Sequence, residues 1–175
     1  NLTAVLVFNN APNFSTSYPQ INSTNGLNLS INNLTVTFIA TDPDPGDILR
    51  YNLTVYRNNI TNFTRLNIDY TNNSYITEII DFKNLSKGTT WKAMVSLTDN
   101  FTAVHANTSE LLIINTMPTI VNFTLSPSKA FDADNLNASW QIEDPNPGQT
   151  LSVNLSWYEN GASIYNQTVI VCTNG

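Results

Sequence analysis

Residues 33–59, NLTVTFIATDPDPGDILRYNLTVYRNN, align without a gap on residues 135–161, NLNASWQIEDPNPGQTLSVNLSWYENG, at an offset of 102. Phe38 falls on Trp140, Asp42 on Asp144, Pro45 on Pro147, Gly46 on Gly148, Leu49 on Leu151, Asn52 on Asn154 and Tyr56 on Tyr158. A repeat of this length means that one supersecondary unit is built twice. Both copies alternate with a period of two: Tyr51, Leu53 and Val55 share one face, and so do Leu151, Val153, Leu155 and Trp157. Helical spacing is absent, and Pro, Gly, Asn and Asp turns separate short segments. The expectation is an all-β chain of two sandwich domains, each about 100 residues when complete.

The same alternation carries a second signal. The chain has 28 Asn, and 16 of them begin an N-x-S/T sequon: Asn1, Asn13, Asn22, Asn28, Asn33, Asn52, Asn59, Asn62, Asn72, Asn84, Asn100, Asn107, Asn122, Asn137, Asn154 and Asn166. Ser and Thr number 36 of 175 residues, so chance pairing gives roughly 6 such acceptor motifs. In 12 of the 16 the middle residue is apolar, as in NLT, NFT and NIT. On a strand, Asn52 and Thr54 then face outward while Leu53 faces the core, and Asn154, Leu155 and Ser156 repeat the pattern. Covalent N-linked glycans are the expected modification, and no other cofactor is expected. They would coat the outer sheet faces and supply the solubility that a charged content of only 11% does not.

N-glycosylation places the protein outside the cell or at its surface. The net charge of −6 argues against nucleic acid and anionic membrane as partners. No run of 18 apolar residues is present, so no membrane span is expected. The chain lacks an initiator Met and a visible signal peptide, and reads as a mature or excised segment. The single cysteine, Cys172, has no internal disulfide partner and reads as a small apolar strand residue.

The repeat pattern resembles the immunoglobulin-like domains found in tandem in secreted archaeal and bacterial surface proteins. The shared features are a strand-opening Asn135-Leu136, the DPDPGD loop from Asp42 to Asp47, and the WYxNG turn from Trp157 to Gly161. Gly88 with Trp91, Asp99-Asn100, and the boundary from Ile113 to Pro118 complete it. The resemblance implies a structural or adhesive role without catalysis. Members often carry a cysteine pair across the core; here the matching positions look like Val36 and Ala93.

The boundary segment TSELLIINTMP (108–118) recurs at the head of the chain as LTAVLVFNNAP (2–12), with Pro12 on Pro118. The expected organisation is a donor strand over residues 1–9, a first domain over 10–115, and a second domain over 116–175 lacking its last strand or strands. Aligning Thr173-Asn174-Gly175 with Thr98-Asp99-Asn100 leaves the second domain one strand short. An alternative makes VIVC an earlier strand and leaves more missing. A sandwich open at one edge exposes an apolar groove and unpaired backbone groups. A donated strand fills it by β-augmentation. In the expected donor strand Leu2, Ala4, Leu6 and Phe8 share the face that enters the neighbour's core, with Val5 and Val7 opposite. A head-to-tail contact of this kind is heterologous and gives a helical polymer of identical subunits. The expected function is therefore the subunit of an extracellular glycoprotein filament. The alternative is a segment of one long covalent repeat protein, a stalk or adhesin. A recognition face would be a patch free of sequons, and the sequon-free gaps are short.

No catalytic residues are expected. The single histidine, His105, has no Cys or His partner for a metal and no nucleophile beside it. Trp140 and Trp157 lie on alternating strands and read as core rather than sugar platforms. The loop bearing Asp42, Asp44 and Asp47, with Asp99 from a neighbouring turn, is the one place for a cation, and calcium suits clustered carboxylates. The preferred reading is a Pro-stiffened turn whose Asp side chains bond the local backbone, with no metal. The second copy there reads Asp144, Asn146 and Gln149.

Overall fold

The computed structural model describes residues 8–173, with no α-helix among them. The chain forms two compact units that divide between Ile114 and Asn115, one residue before the expected boundary.

In the first unit β2 (Gln20–Ser23) and β7 (Ile76–Ile80) flank β3 (Leu34–Phe38) in an antiparallel sheet. A second sheet has β5 (Leu49–Arg57) between β6 (Ile60–Tyr70) and β8 (Thr90–Thr98). Two strands follow one another along the outer edge of β8: β9 (Ala103–Asn107) on its second half and β10 (Leu111–Leu112) on its start. A short pair, β1 (Asn13–Phe14) with β4 (Ala40–Thr41), completes the unit. The two larger sheets share one core, built from Leu34, Val36, Phe38 and Ile80 on one side and Tyr51, Leu53, Val55, Trp91, Val95 and Leu97 on the other. This is the arrangement of a β-sandwich. Val36 and Ala93 are both fully buried, so apolar packing fills the positions where a cysteine pair is otherwise implied.

Alternation accounts for the burial. Leu53 and Val55 are fully enclosed while Asn52 and Thr54, which alternate with them, stand on the outer face, as expected. A charged residue takes a core-facing position on β7: Glu78, in phase with Ile76 and Ile80, is buried. The Tyr51 hydroxyl donates to it over 2.5 Å, and the Arg65 guanidinium pairs with its other oxygen. Burial, followed by the bond to Glu78, raises the Tyr51 phenol well above its ordinary range and keeps it a donor. Tyr70 plays a similar part: its hydroxyl accepts from Ala40 N at 2.8 Å and reaches the carbonyls of Ala40 and Ser74.

The described residues of the second unit form two hairpins. β11 (Thr119–Ser126) pairs with β12 (Asn137–Glu143), and β13 (Thr150–Glu159) pairs with β14 (Ala162–Thr173). β13–β14 reproduces β5–β6 in detail. The turn residues Asn58-Asn59 and Asn160-Gly161 occupy equivalent places, all at positive φ, as a tight two-residue hairpin requires. A register shift at Val55/Tyr56 recurs at Trp157/Tyr158. β14 is thus the counterpart of β6, which corrects the alignment of the tail on Thr98–Asn100. The placement that makes this segment an earlier strand is the one observed, because the Asn160-Gly161 turn folds it directly back on β13.

Replacing Arg65 with Met leaves the Glu78 carboxylate buried without its cation. Arg65 is itself about half exposed, so the expected loss is about 1–3 kcal/mol in chemical denaturation. An unchanged midpoint would show that Tyr51 alone satisfies Glu78.

Candidate functional site

Three features bear on function: the segment entering each unit, the acidic loop beside it, and the sequon asparagines.

The entry segments are held in the same way in both units. Asn10 donates its backbone N–H to Asp44 Oδ2 at 2.5 Å and its side-chain amide to Asp44 Oδ1 at 2.9 Å. Thr116, which falls on Asn10 when Pro118 is set on Pro12, donates its N–H to Asn146 Oδ1 at 2.8 Å. Asn146 is the repeat counterpart of Asp44. The side chain of Asn9 donates to Asp99 at 3.0 Å, and that of its counterpart Asn115 accepts from Gln149 at 2.8 Å. A DPxPG loop receives the incoming chain in each unit. Its bend depends on a glycine at positive φ, Gly46 in one copy and Gly148 in the other.

The strand just before the second entry segment belongs to the first unit. Ile113 N donates to Thr89 O and Ile113 O accepts from Gly88 N, while Leu111 and Ile113 are buried. Leu112 and Ile114 are about half exposed on the other face. Of the expected donor strand, residues 1–7, with Leu2, Ala4 and Leu6, lie outside the described residues, and Phe8 is 79% exposed. Phe8 matches Ile114, so the in-phase set of Leu6 and Phe8 corresponds to the outward face of the strand it resembles. Val5 and Val7 correspond to the buried Leu111 and Ile113. The phase expected from the sequence is therefore opposite to that of the counterpart.

Asp42, Asp44 and Asp47 come together, each offering an oxygen within 4.8 Å of the others. Asp42 is 6% exposed; its Oδ1 accepts from Asp44 N at 2.8 Å, which is the expected Asp turn. Asp42 Oδ2 and Asp47 Oδ2 are buried and have no hydrogen-bond partner. None of the ion pairs among the described residues reaches this loop. Desolvation, followed by the charges of Asp42, Asp44 and Asp99, raises the Asp47 carboxyl above its usual range. Asp99 does not join the cluster. Its Oδ1 accepts from the N–H groups of Phe101 and Thr102, and its Oδ2 from Thr102 Oγ1 and Asn9. Burial alone would raise its pKa; these four bonds outweigh that and bring it down to about 2.

Of the 15 sequon asparagines among the described residues, none is buried: 12 are exposed, and Asn28, Asn33 and Asn52 are half-buried. Asn28, Asn59 and Asn100 sit at positive φ in turns. Asn72 is exposed, yet its amide is pinned on both sides by the backbone of Asp42, donating to the carbonyl at 2.7 Å and accepting from the N–H at 2.9 Å. Asn1 lies outside the described residues. His105 stands on the exposed side of β9, paired with Ser96. Trp91 is fully buried, its Nε1 donating to Thr89, whereas Trp140 and Trp157 are only half-buried.

No family model matches this chain, and neither do any curated protein or solved structure.

Two expectations follow. Since Asp99 is depressed on folding, its stabilisation is present above about pH 4 and is lost as pH falls through about 2. Asp99→Asn should destabilise the protein at pH 7 by about 1–3 kcal/mol, and the difference from wild type should shrink towards pH 2 in urea titrations. Glycopeptide mass spectrometry of the native protein should find sugar on the outward strand positions Asn52 and Asn154. Occupancy at Asn72 should be lower, because a glycan there must be fitted around an amide already held on two sides.

Proposed function

We propose that this chain is a structural building block of an extracellular, N-glycosylated fibre of Ig-like sandwiches, in which an incomplete second domain is closed by strands from the next molecule in line and residues 1–9 are one such closing strand. One observation carries this reading: repeat-equivalent positions are sealed in the first unit and open in the second. Phe38, Leu53 and Val55 are fully buried, while their counterparts Trp140, Leu155 and Trp157 are half-buried. On β11, Phe123 and Leu125 are 58% and 49% exposed. Ile120, Ile142, Leu151 and Val153 line an open cleft along the two hairpins. A two-stranded hairpin with one bare apolar face is marginal alone in water, so covering that face is the main source of stability available to this unit.

The recurrence of the entry segment supports the same reading. In the first unit, the strand before such a segment contributes buried Leu111 and Ile113 to the sandwich that precedes it. Residues 1–8 precede the equivalent segment and would do the same for a neighbour, with Val5 and Val7 inward. Each such side chain contributes on the order of 1.5–3 kcal/mol when fully buried. The sequons fit: their asparagines stand on outer faces and in turns, leaving the inner faces free to pack.

A second reading has its own support. Counterparts of β7, β8, β9 and β10 are not found in the second unit among the described residues, which is more than one donated strand supplies. More of the same polypeptide would supply them in a covalent repeat protein with the same local architecture.

Denatured mass after chemical deglycosylation separates the two. A band near 19.4 kDa is the expected result for separate subunits, and a far larger one would favour the covalent repeat. Phase tests the strand itself. Val5→Asp or Val7→Asp should abolish assembly while the first unit stays folded, and Leu6→Asp should be tolerated better. Equal tolerance at all three positions would rule out the donor strand.

A further inference from the structure

We infer that the loop of Asp42, Asp44 and Asp47 is a calcium site that fixes the segment entering the first unit. The inference does not depend on the fibre reading. Three carboxylate oxygens converge within 4.8 Å, and two of the side chains present a buried oxygen, Asp42 Oδ2 and Asp47 Oδ2, with no donor to satisfy it. Asp42 is more than nine-tenths buried, so water is a poor substitute there. An uncompensated buried carboxylate is costly, and a cation in the loop removes that cost at both oxygens at once.

The second copy is a control for Asp44 and Asp47, since Asp144 Oδ2 is buried there just as Asp42 Oδ2 is. Its loop makes the same turn, with Asp144 Oδ1 accepting from Asn146 N at 2.7 Å as Asp42 Oδ1 accepts from Asp44 N at 2.8 Å. It does so with Asn146 and Gln149 where the first copy has Asp44 and Asp47. The turn and the docking of the entry segment therefore need only one carboxylate and an amide. The two further negative charges in the first copy are not required by the fold, and a ligand for them explains their presence.

The donor set selects the ion. It is all oxygen, without Cys or His, which suits a hard cation. Asp44 and Asp47 are only part-buried, so waters can complete a sphere of six to eight oxygens, which calcium accepts in irregular geometry. Magnesium needs a near-octahedral set and sheds water reluctantly. Both oxygens of Asp44 also accept from Asn10, so an ion bound to Asp44 anchors the entering chain through it.

The test is calorimetric titration of CaCl2 into the chelator-treated full chain, beside the double variant Asp44→Asn with Asp47→Gln. Those substitutions install the second copy's own residues, so folding should be kept; circular dichroism checks this, and Asp47→Gln alone serves if the pair fails. Expected are one saturable site with Kd on the order of 10⁻⁴–10⁻³ M, weakened about tenfold or more in the variants, and a melting temperature that rises with calcium in the wild type alone. No saturable heat up to about 10 mM calcium would overturn the proposal. So would unchanged affinity in the variants, or an equal thermal gain from NaCl at matched ionic strength.

Discussion

A strand that alternates apolar and polar residues has one face that water must not reach, and every level of this structure follows from how that face is covered. In the first unit two sheets cover each other, and Leu34, Leu53, Trp91 and Val95 disappear completely from solvent. The second unit has the same alternation on β12 and β13 but only two hairpins among the described residues, and Trp140, Leu155 and Trp157 remain half-buried. One sequence pattern thus has two outcomes, and the difference is the number of strands available. Hydrophobic burial scales with area removed from water, and a hairpin alone cannot remove enough.

The polar half of the alternation is used as fully as the apolar half. Asn52 and Thr54 belong to one sequon and both stand outside, while Leu53 between them is buried. Elsewhere Asn serves the backbone: at positions 28, 58, 59, 67, 73, 100 and 160 it adopts the left-handed conformation that turns, loops and the β6 bulge require and most side chains resist. An Asn-rich chain is therefore suited both to tight β-turns and to a sugar coat. The Asn58-Asn59 hairpin is such a turn, and its second residue opens a sequon.

Much of this was legible in the sequence. The repeat located equivalent loops and turns correctly, and Asn160-Gly161 forms the hairpin its residues demand. Inward and outward faces of β5 followed from counting by two. What escaped depended on contacts between distant residues. Glu78 sits in phase with Ile76 and Ile80, which was a readable sign of a buried charge, but its partners Tyr51 and Arg65 come from other strands. Asp99 looked like a fourth member of the acidic loop. Its bonds to Thr102, Phe101 and Asn9 take it out of that role, and Asn9 lies ninety residues away in sequence. Register is harder to read: the tail matches Thr98–Asn100 in sequence yet folds back on β13 as the counterpart of β6, and in an apolar run such as LTAVLVF, which offers residues for both faces, a slip of one exchanges them.

Buried Leu111 and Ile113 tie the end of the first unit into its core, and the residues that follow them enter the second unit on the Asn146 loop. The central claim is that the second unit reaches its stable form only when further strands cover β12 and β13. Amide hydrogen exchange on the dispersed chain and on the fibre we propose it forms measures this directly. In the dispersed chain, β12 and β13 should exchange far faster than β5 and β8, and assembly should slow them by at least about tenfold. Protection of β13 in the dispersed chain equal to that of β5 would contradict the account, since the unit would then be complete without a partner.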